Sequence, residues 1–311
     1  MHRTTFVLNP LLPFRLDLTV WALRRRERNI IDAWDGTQYI RVFVFNNTPA
    51  KVMIRQETGQ SSLIITAHSL HSISALKEKV TLVLNRMLGL EVNLKEFYAF
   101  AKNNKKLSPL VLKFKGLKPP RFPSLFEALT NAIACQQFSL ESGLSILNRL
   151  SQHYGLSFQE DHQTNYAFPE AVKIMNCAPD ELKELGFSQH KSEALINLAT
   201  EISKHEELYA NLEHKSDQDI SLLLSDLKGI GRWSTEYALL RGMGRLDVLP
   251  GDDVGIKKSL KKLLELDETL DYNKIKQIEQ TWFPYAGLIY FHLLLQKLSE
   301  KGLISQPVRK I

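Results

Sequence analysis

The sequence predicts an α+β fold, with an N-terminal antiparallel sheet and one helix followed by a mostly α-helical region. Through much of residues 1–92, apolar and polar residues alternate, which is the period of half-buried strands. Beyond residue 123 the apolar residues recur three or four positions apart, as they do in helices that pack on a core. Between these two regions, Lys118-Pro119-Pro120 and Pro123 favour a rigid, non-helical connection.

Four strands and one helix are predicted in the N-terminal unit. The strands cover Phe14–Val20, Tyr39–Phe45, Lys51–Arg55 and Ser62–Ile65, with turns at Asn46–Pro49 and Gly59-Gln60. An amphipathic helix follows from Ser69 to Leu88, and Gly89 ends it.

The helical region contains several segments with recognisable ends. Ser124 and Glu127 form a capping box before a helix at Leu125–Cys135, and Ser188 caps another helix further along. The remaining predicted helices cover Leu140–Tyr154, Asp217–Leu227, Arg232–Arg241, Tyr272–Gln280 and Tyr285–Leu298.

We expect four segments in the chain. They are an N-terminal α+β domain (1–92), a linker with the first part of a C-terminal helical subdomain (93–122), a central helical domain that contains a helical hairpin (123–249), and the rest of the C-terminal subdomain (250–311) packing with 93–122.

Composition narrows the class of protein. A chain of 311 residues with 44% hydrophobic content can bury a large core, and its net charge of +6 suits a polyanionic partner. Its two cysteines, Cys135 and Cys177, fit a reducing compartment and give no disulfide framework. Because no apolar run is long enough to span a membrane and no signal-like core follows Met1, we expect an intracellular, cytoplasmic protein. We also expect a monomer.

The stretch from Asp217 to Arg241 predicts a helical hairpin. Gly229-Ile230-Gly231 separates two helices, and glycines there allow a sharp turn whose N–H groups face an anion at the start of the second helix. Four basic residues are expected around this end, namely Lys228, Arg232, Arg241 and Arg245. A phosphate site is the functional interpretation, and a purely structural turn is the alternative.

Two adjacent aspartates precede the next predicted helix, which starts at Val254. One of Asp252 and Asp253 must cap it. An ordinary helix cap is the plain interpretation of either residue, and a carboxylate that serves catalysis is the alternative.

The run LKGIGRWSTEY followed by LPGDDVGIKK resembles the helix-hairpin-helix (HhH-GPD) superfamily of DNA glycosylases, and within it DNA-3-methyladenine glycosylase II. The resemblance implies a monofunctional DNA N-glycosylase that excises alkylated purines, of the 3-methyladenine type, from duplex DNA by base flipping in base excision repair. Double-stranded DNA containing a damaged base is then the partner. The essential aspartate of the family matches Asp253, and Asp252 is the alternative if the match shifts by one residue.

The resemblance also implies other site residues. AIACQQFS is similar to the family's loop that fills the space left by the flipped nucleotide, so Gln137, with Gln136 beside it, matches the DNA wedge; a surface amide pair is the alternative. Trp233 and Tyr237, one helical turn apart, match aromatic residues of the base pocket, and Trp21 is a further candidate. Core packing is the alternative for all three aromatic residues.

Contacts to DNA phosphates are implied for the hairpin. They involve Lys228, Gly229, Ile230, Gly231 and Arg232. Trp233 stands where bifunctional relatives carry a lysine nucleophile, and an indole cannot form a Schiff base. At two positions the sequence departs from the family. Ala286 stands where the family usually has an arginine, and Leu294 stands where glycosylase II has a tryptophan of the base pocket.

No metal site or cofactor is predicted. Two cysteines cannot hold the four-cysteine iron–sulfur cluster that some members of the superfamily carry. A monovalent cation can sit among the hairpin carbonyls in the family, and the sequence neither requires nor excludes one. Two other functions stay open, namely an oxidised-purine glycosylase of the same superfamily and a non-catalytic helix-hairpin-helix DNA-binding protein.

Overall fold

The computed structural model describes residues 2–57 and 59–304. The elements of the N-terminal unit are β1 (His2–Leu8), α1 (Leu16–Arg24), β2 (Ala33–Trp34), β3 (Gln38–Phe45), β4 (Thr48–Arg55), β5 (Leu63–Ser69) and α2 (Leu76–Leu88). The five strands form one sheet in the order β1-β5-β4-β3-β2, and all neighbouring pairs are antiparallel. The predicted fold class, an antiparallel sheet with a helix before a helical region, is confirmed.

The prediction of a strand at residues 14–20 is wrong, because this segment forms α1. Its side chains are buried on two opposite faces. Leu16, Val20 and Leu23 pack into the core of the sheet, at helical spacing. Leu18, Trp21 and Ala22 pack into the core of the C-terminal helices. Superimposed on one sequence, the two helical stripes produce the alternation that is typical of a strand.

The predicted start of α2 is also wrong. Residues up to Ser69 continue β5, and the helix begins only at Leu76. Its predicted end is confirmed, since Gly89 takes a left-handed φ of 58° there.

Most of the remaining chain is helical, apart from a short hairpin. These elements are α3 (Lys95–Lys102), α4 (Leu107–Lys113), α5 (Leu125–Cys135), α6 (Leu140–Tyr154), β6 (Ser157–Glu160), β7 (Gln163–Tyr166), α7 (Ala171–Ile174), α8 (Pro179–Glu184), α9 (Gln189–Lys204), α10 (Glu206–Ala210), α11 (Asp217–Ser225), α12 (Arg232–Ala238), α13 (Val254–Leu264), α14 (Tyr272–Thr281) and α15 (Ala286–Glu300). A π-helical turn, Leu239–Met243, continues α12. No helix in the described ranges 2–57 and 59–304 is long and apolar enough to cross a membrane.

Several predicted helix ends are confirmed by their caps. Ser124 accepts a hydrogen bond from the Glu127 N–H at the start of α5, and Ser188 accepts one from the Lys191 N–H at the start of α9. The bounds of α5 and α6 coincide with the predicted ones. In contrast, α3, α4 and the β6–β7 hairpin were not predicted as separate elements.

Three large groups of buried side chains hold these elements together. One lies between the sheet, α1 and α2. A second lies among α5, α6, α9 and α11. The third joins α3 and α4 to α13, α14 and α15, so residues 95–113 pack against residues 254–300. On this packing we propose the division of the chain at 1–92, 93–122, 123–249 and 250–311.

A buried ion network connects the sheet to α5. Arg41 on β3 donates to Asp32 at 2.5 Å and to Glu127 on α5 at 2.6 Å, and Tyr39 also donates to Asp32 at 2.7 Å. Burial lowers the pKa of Arg41, but attraction to Glu127 and Asp32 outweighs burial and raises that pKa well above its usual value. The guanidinium therefore stays charged and fixes the orientation of α5 on the sheet.

Replacing Arg41 with methionine should destabilise the fold by about 3–5 kcal/mol, because two buried carboxylates lose their shared cation. Urea unfolding followed by circular dichroism measures the change. Lys106→Met is the matched control, since it breaks an exposed pair with Glu265 and should cost less than about 1 kcal/mol. Equal losses in the two variants would contradict the role given to Arg41.

Candidate active site

A cavity of about 710 Å³ lies where five parts of the chain meet. These parts are the end of α1, the loop between α5 and α6, α12, the start of α13, and α15. The lining residues include Arg25, Cys135, Gln136, Gln137, Phe138, Trp233, Tyr237, Asp252, Asp253, Tyr290, Leu294 and Lys297. Its walls thus come from both ends of the chain and from its middle.

Asp253 caps α13 and also lines this cavity. Its Oδ1 accepts a hydrogen bond from the Ile256 N–H at 2.9 Å, which satisfies one of the free N–H groups at the helix start. Within the described residues Oδ2 has no hydrogen-bond partner, and the side chain is half-buried. The dipole of α13 favours the anionic form of a group at this position. One carboxylate oxygen is therefore fixed, and the other is available to the cavity.

Asp252 has a different environment. It forms an ion pair with Arg232 at 2.6 Å and lies 3.5 Å from the Lys257 ammonium. Burial raises the pKa of Asp252, but the bonds with Arg232 outweigh it and lower the pKa overall. The predicted cap is thus supplied by Asp253, while Asp252 is neutralised by its partners.

The loop that presents Asp253 is held by a second ion network. Glu236 accepts hydrogen bonds from the Gly251 N–H and the Tyr272 hydroxyl, both at 2.8 Å, and pairs with Lys276 at the same distance. Lys276 also donates to the carbonyl of Leu249 at 3.2 Å. Because Gly251 faces the Tyr272 ring, where a Cβ would lie 2.7 Å from the nearest carbon, the loop has little freedom.

The hairpin turn is shaped by its two glycines in different ways. Gly229 has a φ of 81°, and a Cβ there would lie 2.5 Å from the Ala194 side chain on α9. Gly231 has open space around its Cα, with nothing within 4 Å of a Cβ. The prediction that the Ile230 N–H is free is wrong, since it donates to the Leu227 carbonyl at 3.0 Å. The N–H groups of Gly229 and Gly231 have no partner in the described chain.

The expected cluster of four basic residues at the hairpin is only half correct. Arg241 is fully buried, where it donates to the carbonyls of Ala22 and Leu23, and Arg245 pairs with Asp217 at 2.7 Å. Lys228 and Arg232 are exposed near the turn. Lys228 pairs with Glu193 at 2.6 Å, and Arg232 pairs with Asp252.

The two glutamines after α5 have separate roles. Gln136 cannot reach outward, because its Nε2 donates to the Gly229 carbonyl at 2.8 Å and to the Ser234 hydroxyl at 2.9 Å. Its assignment to the wedge is corrected: it ties this loop to the hairpin. Gln137 is exposed at the cavity, with a left-handed φ of 54°.

Lys191 on α9 also holds the loop between α5 and α6. Its ammonium donates to the carbonyls of Ala134 and Gln136, at 3.0 and 2.6 Å, and lies 3.6 Å from the centre of the Phe138 ring. Burial lowers the pKa of Lys191. The charge of Lys191 is therefore used inside the protein, on the two carbonyls.

The aromatic candidates divide into two groups. Trp233 and Tyr237 line the cavity with ring centres 5.3 Å apart, Trp233 half-buried and Tyr237 only 2% exposed. Trp21 lies outside the cavity lining, in the core shared by α1 and the C-terminal helices, so its assignment to the pocket is corrected.

Three residues of the cavity wall escaped the sequence analysis. They are Arg25, which is 5% exposed, and Tyr290 and Lys297, which both lie on α15. The lysine lies close to the catalytic candidate: a Cβ on Gly255 would be 3.1 Å from Asp253 Oδ1 and 3.4 Å from Lys297 Nζ. No cluster of three or more His, Cys, Asp or Glu within the described ranges could hold a metal ion.

Comparisons with known proteins indicate the family to which this chain is similar. Residues 130–284 match the family model of the HhH-GPD superfamily base excision DNA repair protein. The chain is 27% identical to the DNA-3-methyladenine glycosylase of Bacillus subtilis over 217 residues, which cover 70% of this chain and 72% of the relative. It is also similar to the structure of the 3-methyladenine DNA-glycosylase of Archaeoglobus fulgidus, with 25% identity, a TM-score of 0.81, and coverage of 93% and 97% of the two chains.

A more distant structure shares the fold alone. It is the 8-oxoguanine glycosylase/lyase of Clostridium acetobutylicum in complex with double-stranded DNA, with a TM-score of 0.69 at 18% identity and coverage of 86% and 87%. The helical hairpin, the cavity and the matches together define a DNA glycosylase of base excision repair. The chain belongs to the HhH-GPD superfamily.

Glu236→Gln should loosen the loop before Asp253, because an amide cannot replace a carboxylate that accepts from three donors. Hydrogen exchange at the Gly251 amide should become about tenfold faster or more, as expected for losing a hydrogen bond to a charged group. Exchange measured by NMR tests this.

Glu193→Gln serves as the matched control, since it removes the carboxylate that pairs with Lys228 on the surface. Its Gly251 exchange should equal that of the wild type. Unchanged exchange in Glu236→Gln would show that the loop is held by other contacts.

Proposed function

We propose that this protein is a monofunctional DNA N-glycosylase that removes alkylated purines, of the 3-methyladenine type, from duplex DNA. The observation that carries this proposal is the position of Asp253, with one oxygen bound to the start of α13 and the other available to the cavity beside Trp233. The names of the B. subtilis and A. fulgidus relatives favour alkylated bases over oxidised ones.

The reaction requires the damaged nucleotide to leave the DNA stack before its sugar can be reached. A cavity of about 710 Å³ has room for a purine and its sugar. When the bond from C1′ to the base breaks, positive charge grows on the sugar, and a carboxylate in a poorly hydrated site stabilises it. We assign this role to Asp253, which can also orient the attacking water.

Trp233 and Tyr237 are proposed as the aromatic wall of the base pocket. A base alkylated at N3 or N7 carries a positive charge, and its attraction to an aromatic face contributes about 0.5–2 kcal/mol per ring. Trp233 is the more accessible of the two rings, so it is the one assigned to contact the base directly. Tyr237 packs against Trp233 and also lines the cavity.

The helical hairpin is proposed as the site that binds the phosphates of the DNA backbone. Gly229 and Gly231 offer N–H groups without protein partners, and the open space at Gly231 lets a DNA backbone approach closely. A phosphate would compete with Asp252 for Arg232 and with Glu193 for Lys228. Since exposed ion pairs contribute only about 0–1 kcal/mol, this exchange costs little.

Gln137 is proposed as the wedge that enters the duplex. It is exposed at the rim of the cavity, on a loop held by Gln136 and Lys191. Its amide can hydrogen-bond the base that is left without its partner. The substrate is accordingly double-stranded DNA that contains a damaged base.

Asp253→Asn should slow base release by a factor of about a hundred or more, because the amide keeps the helix cap but carries no negative charge. Binding to DNA with a stable abasic-site analogue should stay near the wild-type value. Single-turnover release from methylated duplex DNA provides the measurement.

Asp252→Asn is the control for this experiment. It removes the neighbouring carboxylate, whose partners are Arg232 and Lys257, and should change the rate of release by less than about threefold. A wild-type rate in Asp253→Asn would favour a non-catalytic DNA-binding protein or a different catalytic residue.

The abasic product should remain intact, because the indole of Trp233 cannot form a Schiff base. Treatment with borohydride during turnover should trap no covalent complex, and strand cleavage should require added alkali. Duplexes with 3-methyladenine, ethenoadenine, hypoxanthine and 8-oxoguanine separate alkylated from oxidised-purine activity in the same assay. A trapped complex that disappears in Lys297→Met would contradict this prediction and identify Lys297 as the amine.

A further inference from the structure

Three polar side chains lie together on the inner wall of the cavity. Arg25, Tyr237 and Tyr290 are 5%, 2% and 5% exposed, and all three contribute to the lining. They come from the end of α1, from α12 and from α15. Polar groups this deeply buried normally have at least one hydrogen-bond partner.

Arg25 is a buried cation without an acidic partner. Its Nη1 donates to the Tyr237 hydroxyl at 2.9 Å, and its Nη2 donates to Asn131 Oδ1 at 2.7 Å. Within residues 2–57 and 59–304, Arg25 forms no ion pair with a carboxylate, and its Nε has no hydrogen-bond partner. A buried charge is costly without a countercharge, and this one lines the cavity.

The hydrogen bond from Arg25 leaves the Tyr237 hydroxyl free to act as a donor. A phenol oxygen that accepts from a guanidinium keeps its own proton available. No atom in the described part of the chain accepts that proton. The Tyr290 hydroxyl has no hydrogen-bond partner among these residues either, and it is not sealed off from the cavity. Two unused O–H donors therefore remain at the inner wall.

Both phenols keep their protons at neutral pH. Burial raises the pKa of Tyr237. Burial also raises the pKa of Tyr290, and the negative charge of Asp253 adds to this effect. Each hydroxyl therefore remains a hydrogen-bond donor at neutral pH.

We infer that Tyr237 and Tyr290 donate hydrogen bonds to the departing base, and that Arg25 is a positioning residue that keeps the Tyr237 hydroxyl turned as a donor. This inference rests on the proposed glycosylase function and specifies how the site treats its leaving group. Asp253 stabilises the sugar on one side of the breaking bond, and the two phenols stabilise the base on the other side.

The chemistry gives this donor pair a selective effect. Both electrons of the C1′–N bond go to the base, and water adds to C1′ with loss of one proton. A cationic alkylated base leaves as a neutral molecule and needs little help. A neutral base leaves with negative charge and takes up one proton, so hydrogen-bond donors stabilise its transition state more strongly.

The test compares two leaving groups in each variant. Single-turnover release is measured for hypoxanthine, which is neutral, and for 7-methylguanine, which is cationic, in otherwise equal duplex DNA. Tyr237→Phe and Tyr290→Phe keep the rings, so packing should be preserved, and thermal melting verifies this. Each should slow release of hypoxanthine by about tenfold to a hundredfold and release of 7-methylguanine by less than about threefold.

Arg25→Met tests the positioning role. It should slow hypoxanthine release about as much as Tyr237→Phe does, and adding it to Tyr237→Phe should have little further effect, because both changes remove the same donor. Tyr285→Phe is the matched control: this tyrosine packs against Phe97 and Phe100 outside the cavity and should leave both rates unchanged.

The outcomes separate this inference from the proposed function. Equal slowing of both bases, no slowing of either, or a wild-type enzyme that releases only the cationic base would overturn the donor assignment while leaving the glycosylase function intact. A wild-type protein that releases neither base would overturn both. A loss confined to hypoxanthine, absent in Tyr285→Phe, supports the inference.

Discussion

The hydrogen bond between Asp253 Oδ1 and the Ile256 N–H is the interaction on which the candidate site depends. It fixes the carboxylate at the start of α13, and the dipole of that helix favours its negative charge there. The same residue therefore ends a loop, begins a helix and presents a free oxygen to the cavity. A cap that had turned both oxygens toward the helix would have left the cavity without an available carboxylate.

Two sets of contacts keep the surroundings of that carboxylate rigid. On one side, Glu236 and Lys276 hold the loop that leads to Asp253. On the other side, the Gln136 amide joins the loop after α5 to the hairpin by donating to the Gly229 carbonyl. Lys191 donates to the Gln136 carbonyl of the same loop. The hairpin, the exposed Gln137 and the carboxylate are thereby connected through polar contacts, which suits a site that must align DNA with a reacting sugar.

Local signals in the sequence were sufficient for much of the fold and for part of the site. The caps at Ser124 and Ser188, the glycines of the hairpin and the two adjacent aspartates act over a few residues, so a short pattern reveals them. α1 was misread because it is buried on two faces by elements distant in sequence. The burial of charged side chains was equally unpredictable from the sequence, since Arg25, Arg241 and Lys191 are basic residues that lie inside the fold. Their partners are set by long-range packing, which no local pattern contains.

The two-faced burial of α1 has a consequence for how the molecule can be divided. Its last turn leads from the sheet directly to Arg25 in the cavity wall, while Tyr290 and Lys297 reach the same wall from near the other end of the chain. The region that matches the family model, residues 130–284, contains the hairpin and Asp253 but lacks these three side chains. A fragment limited to residues 130–284 would keep the hairpin and Asp253 and lose one wall of the cavity. The helix α1, which packs on the sheet and ends at Arg25, is in this sense part of the cavity wall.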